Sequence, residues 1–190
     1  MVLAMTMQHK ESMLISRRAF IGGVAAASAA LAVKPAFALS GKDTRALAFY
    51  HTHTGEEMNI TYFANGGYVK DGLKRVNYLL RDFRNNQQAT IDPQLLDKLV
   101  ALQRKLGSTG KFEIISAYRS PQTNAMLHAH SSGVASKSYH IQGKAIDIRL
   151  SDSDIYRIHN AALAMGNGGV GLYRGSDFVH LDTGPVRHWG

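Results

Sequence analysis

The stretch SYHIQGKAID, residues 138–147, combines a histidine and an aspartate, both of which are metal-binding residue types, with a glycine between them. Its last residues begin the alternating run KAIDIRL, which predicts a strand with Asp147 on one face and isoleucines on the other. His140 would lie in the loop before this strand, and Gly143 would permit a sharp backbone path between the two. The stretch is interpreted as half of a metal site.

The other half lies in the stretch FVHLDTG, residues 178–184, which also alternates. Its apolar residues would face one way, and His180 and Asp182 would face the other. If this strand neighbours the first, His140, Asp147 and His180 converge on one point. Two nitrogens and one carboxylate with a free fourth position are typical of a catalytic zinc site.

A buried histidine that is hydrogen-bonded to an aspartate is the simpler interpretation of a single His–Asp pair. Three features favour a metal instead. Ser138 stands two residues before His140, the glycine spacing is specific, and a second histidine, His180, lies on an alternating strand. We therefore predict a zinc site.

The elements around these residues predict an α+β fold, with a small, mostly antiparallel sheet flanked by helices. Alternation and turn signals predict strands over residues 45–56, 58–66, 112–120, 145–150, 168–175 and 177–184. Helical spacing and capping residues predict helices over residues 69–86, 93–107, 121–130 and 151–165.

Residues 1–38 predict an export signal. The pair Arg17-Arg18 precedes a short apolar run, and an Ala-x-Ala cleavage site ends at Ala38. The paired arginines are typical of twin-arginine signals. The apolar run falls short of the ~20 residues that span a bilayer, so we expect cleavage rather than an uncleaved membrane anchor.

Residues 39–190 are then one domain, long enough to bury a hydrophobic core. The chain has no cysteine, which excludes a disulfide framework and limits metal ligands to histidine, aspartate and glutamate. Its net charge of +8 favours polyanions such as cell-wall polymers as partners. No nucleic-acid-binding motif is present, so we expect no nucleic acid. We also expect a monomer with no membrane span after cleavage.

The pattern Ser-x-His-x-x-Gly-x-Ala-x-Asp with a distal histidine resembles the zinc D-Ala-D-Ala metallopeptidases. These share a fold with lysostaphin-type peptidases and the hedgehog signalling domain. The stretches SAYRS, GGVGLY and FVHLDTGPVRHW are more similar still to the YcbK-like, murein endopeptidase K-like branch, whose members are exported behind a signal peptide. The resemblance covers residues 42–190 and implies a hedgehog/DD-peptidase-like fold that binds Zn²⁺.

The resemblance implies a role for each matching residue. His140, Asp147 and His180 match the metal ligands. Arg119, in SAYRS, matches an arginine that holds the substrate or the oxyanion. Ser138 would support the first ligand or contact the substrate.

The general base departs from the family pattern. Relatives supply it as a glutamate three residues before the distal histidine, or as a histidine two residues before. Asp177 and Phe178 stand at those positions here. Asp177, shorter than glutamate by one methylene, is the first candidate for the base. Asp182 is its rival, with the alternative that it orients His180 as a hydrogen-bond partner.

Most of the other histidines and aromatic residues are predicted to be surface or packing residues. Solvent-facing positions are predicted for His51, His53, His128 and His130, with the last two alternatively lining the cleft. Trp189 would pack against the sheet, with stacking of His188-Trp189 on substrate as the alternative. Tyr118 is a core candidate, and Tyr139 either packs in the core or borders the cleft.

The resemblance and the signal sequence imply a periplasmic, zinc-dependent murein endopeptidase. It would hydrolyse peptide cross-links between peptidoglycan stem peptides in cell-wall growth or remodelling, after passage through the twin-arginine export machinery. Three alternatives remain. They are a carboxypeptidase that trims terminal D-alanine, a non-catalytic zinc-holding domain that binds the wall, and a metal-free glycan hydrolase with paired carboxylates.

Overall fold

The computed structural model describes residues 44–131 and 133–190. The predicted signal sequence and the first residues of the predicted domain lie outside this part of the chain. None of the helices in the described residues has the length and apolar character needed to cross a membrane.

One mixed sheet organises the described residues. Its eight strands are β1 (Arg45–His51), β2 (Glu57–Ala64), β3 (Gly67–Tyr68), β4 (Phe112–Ser116), β5 (Ala145–Leu150), β6 (Gly169–Tyr173), β7 (Phe178–Asp182) and β8 (Arg187–Trp189). They lie in the order β3-β2-β1-β4-β5-β7-β6-β8. Only the β1–β4 and β6–β8 pairs of these described strands are parallel. The prediction of a mostly antiparallel sheet is therefore confirmed.

Four α-helices are described alongside this sheet: α1 (Lys70–Leu79), α2 (Pro93–Leu106), α3 (Pro121–His130) and α4 (Ile155–Leu163). The α+β fold class is confirmed. The helix over 93–107 is predicted closely, because Asp92 caps it by accepting from the N–H of Gln94 and Gly107 ends it in the left-handed region at φ 63°.

The hydrophobic core lies between the sheet and the helices α2 and α4. Helix α2 buries Leu95 and Leu99 completely, and Ile146, Ile148 and Val179 of the central strands are equally buried in the same cluster. Because strand side chains alternate, the polar residues of these strands lie on the opposite face. The packing of the core thus decides which face carries the predicted site.

The first helix is shorter than predicted. Apolar spacing predicts a helix over 69–86, but α1 ends at Leu79. The buried carboxylate of Asp82 accepts from the backbone N–H of Arg84 at 3.1 Å and of Ser120 at 2.9 Å. Such side-chain-to-backbone bonds compete with the helix, so residues 80–86 form a loop instead.

The start of the last helix is also wrong in the prediction. Ser151 and Asp152 are predicted as the cap, but Asp154 caps α4 by accepting from the N–H groups of the next two helical residues. Asp152 instead accepts from the hydroxyl of Ser108 at 2.7 Å, which joins this turn to the end of α2.

Strand β4 ends at Ser116, although the apolar pattern predicts a strand as far as residue 120. The N–H of Tyr118 donates to the carbonyl of Leu80 at 3.1 Å, and the N–H of Arg119 donates to the carbonyl of His140 at 3.2 Å. These bonds draw the chain out of the sheet, and they fix Arg119 beside the loop that carries His140.

Candidate metal centre

A row of register-paired residues crosses the sheet. Ser116 of β4 pairs with Asp147 of β5, which pairs with His180 of β7. His180 pairs in turn with Gly171 of β6, and Gly171 with Trp189 of β8. Side chains of directly paired residues lie on the same face. The two strands that carry Asp147 and His180 are therefore neighbours, as the convergence of the site requires.

His140 reaches this row from a short 3-10 helix, Tyr139–Gln142, just before β5. Gly143 ends that helix in the left-handed region at φ 65°. A Cβ at Gly143 would also collide with the carbonyl oxygen of Thr90. Glycine is thus required here twice, for its backbone conformation and for close packing.

The three predicted ligands come together as a buried cluster. His180 Nδ1 lies 2.8 Å from Asp147 Oδ1, and His140 Nε2 lies 3.3 Å from the same oxygen. The two ring nitrogens are 3.2 Å apart. With metal–ligand bonds of 2.0–2.1 Å, the ligand atoms of a tetrahedral zinc site lie about 3.3 Å from one another. The spacing of the cluster fits that geometry.

The outer partners of both histidines fix their tautomers. His140 Nδ1 lies 2.6 Å from the carbonyl oxygen of Ala117, and His180 Nε2 lies 2.9 Å from Asp182 Oδ2. Both partners are acceptors, so these outer nitrogens carry protons, and in the neutral rings the inner nitrogens present lone pairs. Two lone pairs and a carboxylate oxygen then face one another, an arrangement that a cation stabilises.

The electrostatics of the cluster favour a positive charge on His180 beside an ionised Asp147, but not on His140. Burial lowers the pKa of His140. Burial opposes a charge on His180 as well, but its hydrogen bonds to Asp147 and Asp182 outweigh burial and raise the pKa of His180. Burial likewise opposes ionisation of Asp147, yet the two histidines hold its pKa below the usual range. A proton on His180 can thus take the place of a metal cation.

Asp182 lies on the far side of the His180 ring from Asp147 and is completely buried. Its carboxylate also accepts from the N–H of Gly169 at 2.9 Å and from both terminal nitrogens of Arg187, at 3.0 and 2.6 Å. Burial raises the pKa of Asp182, but these donors outweigh burial and lower it. The carboxylate of Asp182 therefore holds the outer edge of the His180 ring and lies away from the inner nitrogens that converge.

A buried lysine, Lys98, holds the backbone at Asp182. Lys98 Nζ donates to three backbone carbonyls, among them those of Asn167 at 2.7 Å and Asp182 at 2.9 Å. Sequence reasoning missed this residue. The signal was a lysine within the apolar stripe of α2, between Leu95 and Leu102, where a solvent-facing residue is not expected.

Arg119 and Ser138 both lie at the cluster. Arg119 Nη2 donates to Asp147 Oδ2 at 2.7 Å, and Arg119 Nε donates to Ser116 Oγ at 3.0 Å. Ser138 Oγ accepts from the backbone N–H of His140 at 3.3 Å and so caps the 3-10 helix. The guanidinium is held in one orientation beside the carboxylate.

Asp177 lies at the edge of this region, on the turn before β7. Its carboxylate accepts from Arg149 Nη1 at 2.9 Å, and its side chain is 61% exposed. Its neighbours Ser176 and Phe178 line a cleft of about 560 Å³ over the cluster, and Arg119 lines the same cleft. Asp177 is thus a solvated carboxylate next to the cleft.

Comparison with known proteins identifies the family of this chain. Residues 39–189 match the family described as peptidoglycan L,D-endopeptidase MepK. The chain belongs to this family. No solved structure gives a significant match.

Two relatives in the family are similar over most of their length. The Escherichia coli (strain K12) protein named peptidoglycan L,D-endopeptidase MepK is 46% identical over 170 residues, which cover 89% of this chain and 93% of that protein. The Haemophilus influenzae protein named probable peptidoglycan L,D-endopeptidase MepK is 40% identical over 170 residues, which cover 89% of this chain and 91% of that protein.

The other predicted positions have mixed outcomes. His53, His128 and His130 are exposed as predicted, but His51 is 1% exposed, so its predicted surface position is wrong. Tyr118 is buried, and Tyr139 lines the cleft. Trp189 packs on the sheet, as predicted, and also lines the cleft. Stacking of His188-Trp189 on substrate stays a prediction.

Proposed function

We propose that this chain is an exported, zinc-dependent murein endopeptidase that hydrolyses peptide cross-links of peptidoglycan. The observation that carries the proposal is the convergence of two imidazole lone pairs and one carboxylate oxygen within 3.3 Å of one another. A buried His–Asp hydrogen bond alone would not require the inner nitrogens of both rings to face each other. Family membership supports peptidase chemistry at this site.

His140, Asp147 and His180 would hold the metal through the three atoms that converge. Zinc at this position would supply Lewis-acid chemistry and an activated water at neutral pH. Arg119 is fixed beside the cluster by Asp147 and Ser116. Its guanidinium would donate to the oxygen of the scissile amide as negative charge develops there.

Asp177 is our candidate for the general base, and we assign Asp182 an orienting role. Asp182 bonds the outer nitrogen of His180 and is completely buried, so a water at the cluster would lie beyond its reach. Asp177 has an exposed carboxylate next to cleft residues. A general base must reach the proton that it takes, directly or through one water.

The proposed substrate rests on the named relatives, and the proposed location rests on the predicted export signal. Proteins named peptidoglycan L,D-endopeptidase are similar over most of this chain, which supports wall peptides as substrate and an endopeptidase rather than a carboxypeptidase. The pair Arg17-Arg18 before an apolar run supports twin-arginine export to the periplasm. We propose that the protein acts there as a monomer.

The experiment is digestion of intact peptidoglycan sacculi with the purified protein, followed by chromatography and mass spectrometry of the muropeptides. We expect cross-linked dimers to decline, the decline to stop with a chelator, and zinc to restore it. Asp177→Asn should slow cleavage by about 10²–10⁴-fold with zinc still bound. Its matched control is Asp71→Asn, an exposed carboxylate on α1.

Other outcomes separate the alternatives. Loss of terminal D-alanine without loss of dimers would establish a carboxypeptidase. Binding to sacculi with an unchanged muropeptide profile would establish a non-catalytic wall-binding domain. Cleavage that is insensitive to chelator would contradict the metal and favour a glycan hydrolase.

A further inference from the structure

A buried ammonium joins α2 to the strands β6 and β7. Lys98 of α2 is 6% exposed. Its Nζ donates to the carbonyls of Asn167 at 2.7 Å, Asp182 at 2.9 Å and Gly169 at 3.4 Å. An ammonium has three donors, so each of them has an acceptor here. Burial lowers the pKa of Lys98 to about 8, although the Asp182 carboxylate opposes this effect. The side chain therefore keeps its charge at pH 7 and is fixed where its three acceptors meet.

The segment that Lys98 binds at the start of β6 also holds the carboxylate of Asp182. A Cβ at Gly168 would collide with the carbonyl oxygen of Asp182 and would lie 2.8 Å from Lys98 Nζ, so this close approach requires glycine. The next residue, Gly169, donates its N–H to Asp182 Oδ1 at 2.9 Å. Lys98 therefore holds Asp182 twice, directly at its carbonyl and indirectly through the N–H that its carboxylate accepts.

Helix α2 also binds the residue that follows Asp182. The carboxylate of Asp92, which caps the helix, accepts from the hydroxyl of Thr183 at 2.8 Å. The end of β7 is thus held by the cap and by the buried lysine of one helix. Leu95 and Leu99 of that helix are completely buried in the core, so the end of β7 is attached to a closely packed element.

Asp182 connects this attachment to the candidate metal site. Its Oδ2 lies 2.9 Å from His180 Nε2, on the outer edge of the ring. His180 Nδ1, on the inner edge, lies 2.8 Å from Asp147 Oδ1. The imidazole is a rigid plane, so a shift of Asp182 also moves the inner nitrogen. Loss of the partner on the outer nitrogen of a metal-bound histidine typically weakens metal binding by about 10–100-fold.

We propose that Lys98 is a positioning residue for the metal site, because it holds Asp182 in the place from which Asp182 orients His180. This inference rests on the proposed function, since it takes His180 as a metal ligand. In the described part of the chain, the hydrogen bonds of Lys98 go to backbone carbonyls and to none of the three candidate ligands. Its effect on the metal must therefore pass through Asp182. A lysine with a role in stability alone would change only the free energy of unfolding.

The first test measures the zinc affinity of the full-length protein by competition with a chromophoric chelator. Lys98→Met keeps an unbranched side chain but removes the donors, and we expect its zinc affinity to be about tenfold lower. The controls are Lys105→Met, at an exposed position of α2, and Leu102→Ala, at a buried one. Leu102→Ala leaves a cavity in the core and lowers stability, which urea unfolding with chelator present verifies, but it should bind zinc as the wild type does. Wild-type affinity in Lys98→Met, or an equal loss in Leu102→Ala, would overturn the proposal.

A double-mutant cycle tests the route through Asp182. Asp182→Asn alone should lower zinc affinity, and the addition of Lys98→Met should lower it by less than about twofold more, because the two residues act in series on one ring. A further loss of about tenfold in the double variant would mean that Lys98 acts independently of Asp182, which contradicts the proposal.

Because the chain has no cysteine, the ammonium can be restored at this one position. Lys98→Cys is alkylated in the unfolded state with bromoethylamine, which rebuilds an ammonium on a side chain of the length of lysine, or with propyl bromide, which gives the same shape without charge. After refolding, the aminoethyl protein should recover the zinc affinity of the wild type, and the propyl protein should not. Equal affinities in the two proteins would mean that the side chain only fills space and would refute the positioning role.

The Nε2 proton of His180 separates the failure of this inference from the failure of the proposed function. This proton is bonded to Asp182 and should give a nuclear magnetic resonance signal in the metal-free protein, which we expect Lys98→Met to lose and Leu102→Ala to keep. If the wild type binds no zinc but Lys98→Met loses the signal, the positioning of His180 stands and the metal proposal is wrong. If sacculi are cleaved with zinc and Lys98→Met keeps both the signal and the zinc affinity, the endopeptidase stands and the positioning role is wrong.

Discussion

Two pairs of histidines lie at different places along the same sheet, and only one of them is arranged as a metal site. The rings of His51 and His53 have centroids 6.1 Å apart, and those of His140 and His180 lie 5.0 Å apart. Residue type and distance are therefore similar. The difference lies in what surrounds each ring.

In the part of the chain that the structure describes, the first pair has no outer acceptors that turn lone pairs towards each other. His51 Nδ1 accepts from the backbone N–H of His53 at 3.3 Å, which leaves the proton on Nε2. Among the described residues, that buried Nε2 has no hydrogen-bond partner, and the ring meets Phe83 edge-on at 5.5 Å. The nearby carboxylate of Glu56 is paired with Arg81 at 2.9 Å. Outer hydrogen bonds, more than the histidines themselves, thus distinguish a ligand pair from a packed pair.

The largest effect is expected from removing a ligand. His140→Ala should abolish stoichiometric zinc binding and lower sacculus cleavage by at least about 10³-fold, since the catalytic metal is lost. Metal analysis after dialysis measures the zinc content. His53→Ala is the matched control from the other pair and should retain one zinc per chain. Zinc retained in His140→Ala would contradict the assignment of His140 and His180 as the pair that binds the metal.

His51, the buried member of the first histidine pair, should make the free energy of unfolding depend on pH in the acid range. Burial lowers the pKa of His51 to about 4, below the ordinary value of 6.5. The unfolded chain then binds more protons between these values, so stability is complete above pH 6.5 and is lost as the pH falls towards 4. Over this range the free energy of unfolding decreases by about 3 kcal/mol, which is the equivalent of the difference between the two pKa values.

His51→Leu should remove this contribution. Urea unfolding with chelator present, at pH 7 and pH 4, measures the change in the free energy of unfolding for each protein. We expect the decrease to be smaller in His51→Leu by about 3 kcal/mol. The same pH dependence in both proteins would mean that His51 takes up a proton as readily when folded as when unfolded.

A smaller effect is expected from the outer partner of the ligand pair. Asp182→Asn weakens the hold on His180 and should lower zinc affinity by about 10–100-fold, measured by competition with a chromophoric chelator. Asp177→Asn should leave zinc affinity unchanged, because the carboxylate of Asp177 bonds only Arg149 among the described residues. Loss of cleavage in Asp182→Asn at unchanged zinc affinity would instead assign the base to Asp182.

The alternation of residues in the sequence predicts both central strands and the face of each one, because side chains point to opposite faces in turn. The alternation does not determine which residues of the two strands pair with each other. The pairing of Asp147 with His180 depends on how the apolar residues of both strands fit against α2 and α4. The specific spacing around Gly143 predicts His140 and Asp147 as ligands, and the alternation of FVHLDTG adds His180.

The remaining features were missed because they depend on contacts between distant segments. The hydrogen bonds of Asp82, which compete with a longer α1, need the N–H of Ser120. The carbonyls that Lys98 binds lie 69 to 84 residues away along the chain. Gly171 resembles an ordinary strand glycine until Trp189 lies over it. Neither propensity nor local spacing contains these partners.

The row of paired residues that crosses the sheet has a consequence for the order of folding. Asp147 and His180 are separated by 33 residues, and they meet only when β5 and β7 pair. Pairing between distant segments is slow because loop closure must come first. A metal bound by these residues would therefore enter after the central strands have docked and would not nucleate them. Zinc should leave the refolding rate unchanged and slow only unfolding, as expected for contacts absent from the transition state.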